Sequence, residues 1–315
     1  MRRGTSAFGH GAGLRSQKEI GRWRRMPNGE YSGAEDFLKE HEKFCVAACS
    51  RFLRMRRGTS AFGLDAGSRE THGHVWYSPD EGEKIAALLL HSRRSLLPVF
   101  GRKNSIPAPR FLRRFLGKVP IHAIQGLRED TELLESLMKD QGYFSSQRID
   151  YQLMNFDCSS YCGPKNQNVK PGPNGLLLRP PGPEDEEGLF ALQSAYEKEE
   201  VLPQNSVFNP AACRLNLQHI LTKEHVLVAE LNRRLVGKIN TSAESFTRYQ
   251  IGGVYVHPDF RGLGIGVNMA MAFAQNLLNR GKGLSLFVKK RNIAACKVYH
   301  KIGFNVLADY MIIYY

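Results

Sequence analysis

Two clusters of residues carry the chemistry legible in this chain. Arg261, Gly262, Leu263, Gly264, Ile265 and Gly266 form a glycine-spaced run, Arg-x-x-Gly-x-Gly. The apolar stretch Tyr249–Val256 before it reads as a strand, and Val267–Leu278 after it reads as a helix. The run is therefore expected to be a turn opening a helix. Its backbone N–H groups would face outward beside the positive end of the helix dipole, an arrangement that suits a pyrophosphate. Gly264 and Gly266 allow close backbone approach where a Cβ would clash, and Gly262 is the least constrained. No Gly-Lys-Ser/Thr follows, and no acid stands about twenty positions on, so P-loop and dinucleotide readings both fit badly.

The second cluster is Asn292-x-x-Ala295-x-x-x-Tyr299, followed by Gly303-Phe304. It reads as a short helix after a strand beginning near Ser285, with Asn292 as N-cap and Gly303 as the C-terminal stop. In these two runs the chain resembles the GNAT family of acyl-CoA-dependent N-acyltransferases. Arg261 to Gly266 looks like that family's acyl-CoA loop, and Asn292 to Phe304 looks like its next motif. The resemblance covers about 140 residues well and the first half of the chain only in outline.

The resemblance implies an acetyl-CoA co-substrate, an amine acceptor and direct attack of the amine on the thioester. It implies that the strand Val254, Tyr255, Val256 parts from its neighbour around Leu284–Val288. The freed backbone would pair with the pantetheine arm, and one N–H would polarise the thioester oxygen. Tyr299 matches the family's frequent general acid, which protonates the leaving thiolate. Asn292 is explained as a cap, with a cofactor contact as an addition. No acid occupies Tyr249–His257, where many family members keep a base. Glu199, Glu200, His257 and a water relay are left open for that role.

The elements that must hold these residues follow from periodicity. Ser32 to Glu35 looks like a capping box, and Phe37, Leu38, His41, Phe44, Cys45, Ala48 and Phe52 recur at helical spacing. Strands are expected at His74–Ser78, Ile85–His91, Leu96–Phe100, Val119–Ile124 and Asp150–Phe156, with helices at Arg110–Leu116 and Arg128–Lys139. The second half repeats that order: strand Leu176–Pro180, helices Glu184–Tyr196 and Pro210–Leu221, a hairpin Val226–Glu230 with Leu235–Thr241, the two motifs, and strand Val306–Tyr315. The resemblance implies an α/β (α+β), acyl-CoA N-acyltransferase-like fold, and the repeated order points to two tandem domains whose first has lost the glycine loop; a different α/β domain in the first half is the alternative. The expected division is a basic leader 1–32, a first domain 33–157, a Pro/Gly/Asn-rich linker 158–175 and the N-acetyltransferase domain 176–315.

Met1–Gly9 recurs verbatim as Met55–Gly63. Two copies make no solenoid; the first is expected in a poorly ordered leader, the second in a loop. Cys45/Cys49 and Cys158/Cys162 have a CxxxC spacing without further ligands, which favours free thiols over metal. No apolar run approaches a membrane span, and no secretory signal opens the chain, so a cytoplasmic setting is expected. The net charge of +14 suits a polyanionic co-substrate better than nucleic acid, because no nucleic-acid-binding pattern accompanies it. A non-catalytic acetyl-CoA sensor and an RNA-associated protein are the competing readings. Neither the acceptor nor the oligomeric state is encoded legibly.

Overall fold

The computed structural model describes residues 20–27, 30–57, 73–101, 106–157, 171–204 and 206–315. The first half supplies, in chain order, β1 (Ile20–Gly21), β2 (Arg24–Arg25), α1 (Ser32–His41), α2 (Val46–Arg56), β3 (His74–Pro79), β4 (Ile85–Ser92), β5 (Ser95–Phe100), β6 (Ile106–Pro107), α3 (Pro109–Leu116), β7 (Ala123–Leu127), α4 (Arg128–Lys139) and β8 (Gln147–Phe156). The second half supplies β9 (Leu177–Arg179), α5 (Glu186–Tyr196), α6 (Pro210–Lys223), β10 (Val226–Leu231) and β11 (Arg234–Glu244). It continues with β12 (Arg248–Val256), α7 (Ile265–Leu278), β13 (Gly283–Lys289), α8 (Ile293–Ile302) and β14 (Asn305–Tyr314).

Among the described residues one sheet of 12 strands runs through both halves, in the order β2-β3-β4-β5-β7-β14-β8-β13-β12-β11-β10-β9. The order β14-β8 at its centre is an exchange. The last strand of each half is inserted into the other, β8 between β13 and β14, and β14 between β7 and β8. Side chains follow the strands. Met154 and Phe156 of β8 lie in the core under α7 and α8, where Phe156 meets Phe304 edge-on at 5.5 Å. Met311 and Ile313 of β14 lie in the first half's core with Leu134 and Met138. Each such buried side chain stabilises the exchange by about 1.5–3 kcal/mol.

The halves repeat each other around this centre, with Tyr151 of β8 paired to Tyr310 of β14. In each, an antiparallel run leads to a parallel pair, β5 with β7 and β12 with β13, joined across a helix. Both parallel pairs part early. The β5–β7 contact holds only Ser95↔Ala123 and Leu96↔Ile124, whereas β12–β13 stops at Gln250↔Ser285. In the first half the resulting slit is closed: a cavity of about 40 Å³ remains between Val99, Phe100, Gly126 and Asp130, and Phe100 N–H donates to Asp130 Oδ2 at 3.1 Å. Asp130 lies three residues past Leu127, the partner of Tyr310, just as Asn292 lies three past Lys289, the partner of Tyr151. The acid thus occupies the position equivalent to the second half's cap.

Burial pushes the Asp130 carboxyl up to about 7, with Glu129 adding and the Phe100 N–H opposing. An unfolded Asp titrates near ~3.9. Below that, both states are protonated and the site is neutral in its effect. Between ~4 and ~7 the unfolded chain ionises first, so the penalty on folding grows until the folded carboxyl also ionises. Asp130→Asn keeps the acceptor without the charge. It should raise stability at pH 8 by about 1–2 kcal/mol, or ~2–6 °C in melting temperature, and leave it unchanged near pH 4. Equal melting shifts at both pH values would count against a buried charge here.

Several sequence expectations need correction. The Ser32–Glu35 capping box does not form: Tyr31 is the N-cap, without a side-chain bond, and Glu35 pairs with Lys39 and Arg56. The expected single helix through Phe52 breaks at Glu42–Phe44. The break serves a contact, because buried Glu42 accepts from Ser245 Oγ, the Thr247 N–H and Thr247 Oγ1 at the β11–β12 turn. The strand expected at Val119–Ile124 lies at Ala123–Leu127. The leader 1–32 is not wholly loose: β1 pairs β6, β2 pairs β3, and Met26 is buried in the first core. The second copy of the duplicated segment begins inside α2, since Met55 and Arg56 are helical. Its residues from Gly58 on, the first copy and most of the 158–175 linker, with Cys158 and Cys162, lie outside the described residues. The two tandem halves share one sheet, in which each completes the other.

Candidate functional site

The glycine run forms as its spacing requires. Gly262 and Gly264 both have φ of +80°, a region L side chains rarely adopt, so Gly262 is more constrained than its variable motif position implies. Gly264 is the N-cap of α7, and Asn268 Nδ2 donates to its carbonyl at 2.9 Å. Leu263 is half exposed, and Ile265 turns into the core. Gly266 lies inside α7, where an added Cβ would meet only Val256 at 3.6 Å. The N-terminus of α7 therefore stands at the end of the sheet toward which β12 and β13 part.

Along that gap, Tyr255 and Val256 keep their ladder to β11, through Tyr255↔Lys238 and Val256↔Gly237, Val254 falls at the register shift, and none of the three pairs with β13. Backbone groups facing the gap are thus left for another partner. The strand carries a bulge: the register shifts between Lys238 and Asn240, and Gly253 adopts φ of +57°. A Cβ on Gly253 would collide with the Asn240 side chain. Asn240 Oδ1 accepts from Lys238 Nζ at 3.0 Å, and the same Nζ donates to the Gly253 carbonyl at 2.9 Å. Lys238 is only 1% exposed and faces the Tyr196 ring at 4.8 Å. Burial pulls its ammonium down to about 7. None of this network was singled out from the sequence. The available signal was one cation within the apolar run Leu235–Ile239, in a strand flanked by strands on both sides.

Arg261 folds back over the strand. Its Nε donates to the Val256 carbonyl at 3.0 Å, and Nη2 pairs with Glu199 at 2.8 Å. Tyr255 OH also donates to Glu199, at 3.2 Å. Glu199 and Glu200 lie past Tyr196, where the helix expected from sequence ends. The helix α5 runs on as a π turn, Glu197–Val201, a feature that often marks functional sites. Glu199 is held below its usual range, chiefly by Arg261. Glu200 pairs with Lys289 at 2.9 Å and accepts from Asn292 Nδ2 at 3.4 Å. The π turn therefore bridges both motifs. His257 caps a short turn, accepting from the Asp259 N–H at 3.4 Å.

Asn292 caps α8 through the Ala295 N–H at 3.0 Å, and Gly303 ends the helix at φ of +111°. Tyr299, 7% exposed, lies between them with its ring 6.0 Å from Phe304. Burial pushes its phenol well above the usual value, and Tyr196, Glu200 and Cys296 add to the shift. It is a phenol that holds its proton at neutral pH. Burial likewise pushes Tyr196 up to about 12. Tyr151, from the first half's exchanged strand, is raised by burial with contributions from Tyr196 and Glu200, so the first half reaches the same neighbourhood. Among the described residues no cluster could hold a metal ion, and no helix is long and apolar enough to cross a membrane.

The sequence profile of the acetyltransferase (GNAT) family matches residues 190–304. No curated protein matches the chain. Among solved structures, a Drosophila protein aligns at TM-score 0.65 and 12% identity, covering 94% of this chain and 99% of its own. A tandem GNAT protein from the clavulanic acid biosynthesis pathway aligns at TM-score 0.57 and 12% identity, covering 93% and 97%. A GCN5-related N-acetyltransferase from Sphaerobacter thermophilus gives TM-score 0.54 and 16% identity, covering 93% and 94%. At such identities the likeness is one of fold, and it extends over both halves. The chain has the fold of a tandem GNAT protein, and its C-terminal half is a GNAT acetyltransferase domain.

Proposed function

We propose that this protein transfers an acetyl group from acetyl-CoA to an amine, with the chemistry confined to the second half. The observation that carries the reading is the parting of β12 from β13 beneath the glycine-headed N-terminus of α7. The residues fit the group. Amides of Leu263 to Gly266 would take the pyrophosphate, Gly262 and Gly264 supply the turn, and the unpaired edge at Val254, Tyr255 and Val256 would take the amide-bearing arm. The slit in the first half keeps only a cavity of about 40 Å³, and no glycine turn heads α3, so only one site is assigned.

The roles then follow from the chain's own groups. The bulge at Gly253, held by Lys238 and Asn240, aims strand backbone at the gap, where an N–H would polarise the thioester carbonyl. The amine attacks that carbon, the C–S bond breaks, and Tyr299 gives its proton to the departing thiolate. The amine's proton leaves through water; Glu199 and Glu200 are already engaged by cations. Arg261 adds charge to the loop, reduced by its pairing with Glu199.

Replacing Gly264 by valine should abolish acetyl-CoA binding with little change in fold, since φ of +80° and a Cβ at the anion both oppose it. Calorimetry with acetyl-CoA is the measurement, and unchanged affinity would make the turn merely structural. Transfer of labelled acetyl from acetyl-CoA to pooled amines tests the activity itself. Tight acetyl-CoA binding without transfer to any amine would favour a sensor.

A further inference from the structure

At the other end of the sheet, far from the gap, α3 and β3 enclose a groove of about 430 Å³. That volume falls in the range of small-molecule sites. Its apolar wall is aromatic: Trp23, Trp76, Phe111 and Phe115. Trp23 stacks on Phe111 at 5.7 Å and 26°, and Trp76 meets Phe115 edge-on at 4.5 Å. Its polar wall is cationic. Arg25, Arg114 and Lys118 line it with His74, and among the described residues no acidic side chain does. Arg114 and Lys118 are exposed and make no ion pair among the described residues. The Trp23 indole Nε1 is buried without a hydrogen-bond partner among the described residues, a state that calls for an acceptor.

Basic side chains on a helix are usually a solvated face, and aromatic rings at helical spacing are usually core. Here the two converge on one open groove. Rings bury flat π surfaces, guanidinium and ammonium groups favour anions, and an unpaired N–H requires a lone pair. We propose that this groove is a binding site for a planar aromatic anion of small size, in which the ring packs against Trp23 and Phe111 and the charge meets Arg25, Arg114 and Lys118. Two sources share that chemistry, an aromatic carboxylate and a nucleoside monophosphate. The site is independent of the acetyl-transfer reading, because it shares no residue with it.

The chain holds two tryptophans, and both line the groove. Indole emission from the full-length protein therefore reports on this site alone. Benzoate and AMP are titrated as the two probes, with adenosine and inorganic phosphate as uncharged and non-aromatic controls. Saturable change is expected for at least one probe with Kd below ~1 mM and at least ~10-fold weaker for both controls. Benzoate alone would identify an aromatic acid, AMP alone a nucleotide. The double substitution Arg114→Glu and Lys118→Glu, both on exposed positions, should weaken the probe by at least ~10-fold while the melting temperature holds. Absence of saturation by either probe, or equal affinity in the double variant, would overturn the proposal. So would oligouridine binding ~100-fold tighter than AMP with a steep salt dependence, which would give the groove to single-stranded RNA.

Discussion

A polypeptide cut to residues 171–315, the whole of the acetyltransferase half with its own linker end, is expected not to fold. Sequence alone marks a boundary there, yet the cut removes β8. Strand β8 bonds to β13 from Leu284 to Lys289 on one side and to β14 on the other. Without it, two strand edges stand open in the middle of the sheet, and Phe304 and Leu286 lose Phe156 and Met154. Truncations of that kind lose several kcal/mol per large side chain, comparable to the whole stability of a domain, and bare edges aggregate. The fragment should be insoluble or lack a near-ultraviolet circular dichroism signal. Residues 144–315, which restore β8, should recover a cooperative transition and acetyl-CoA affinity. A cooperative melt by 171–315 alone would show that the exchange is dispensable. Deleting residues 1–32 should likewise lower stability, because Met26 and Trp23 pack in the first half.

Substituting Tyr299 by phenylalanine is expected to reduce turnover by about 10²–10⁴-fold with acetyl-CoA affinity nearly intact. The ring is buried against Phe304 and fills the same space without its hydroxyl, so packing changes little. What disappears is the proposed proton source. The raised phenol also sets a pH signature: it remains protonated across the neutral range, so the wild-type rate should show no falling limb from this group below pH ~10. Steady-state kinetics from pH 6 to ~10 check both statements. A loss smaller than ~3-fold would demote Tyr299 to a packing residue.

Some of the site was legible in the residues because it is local. A glycine at positive φ, an Asn that caps the third amide on and a Gly that ends a helix are set by backbone stereochemistry over a few positions. The turn at Gly264, the cap at Asn292 and the stop at Gly303 were readable for that reason, whereas the positive φ at Gly262 was not. Strand and helix order was readable from periodicity, and with it the repetition of one half by the other.

What lay beyond the sequence is everything that depends on who pairs with whom. Period-two alternation makes β8 and β14 strands but carries no address, so nothing in Gln147–Phe156 shows that it completes the other half. The π turn at Glu197–Val201 emerged because Glu199 and Glu200 meet Arg261, Lys289 and Asn292, partners 62 to 92 residues away. Lys238 looked like an ordinary strand lysine until α5 covered it and the bulge at Gly253 offered it a carbonyl. The aromatic groove joins Trp23, Trp76 and Phe111 from three separate segments. Local stereochemistry determined the turns and caps of this protein; burial and strand pairing across the chain decided which charges lost water, which edges were closed and which gap stayed open.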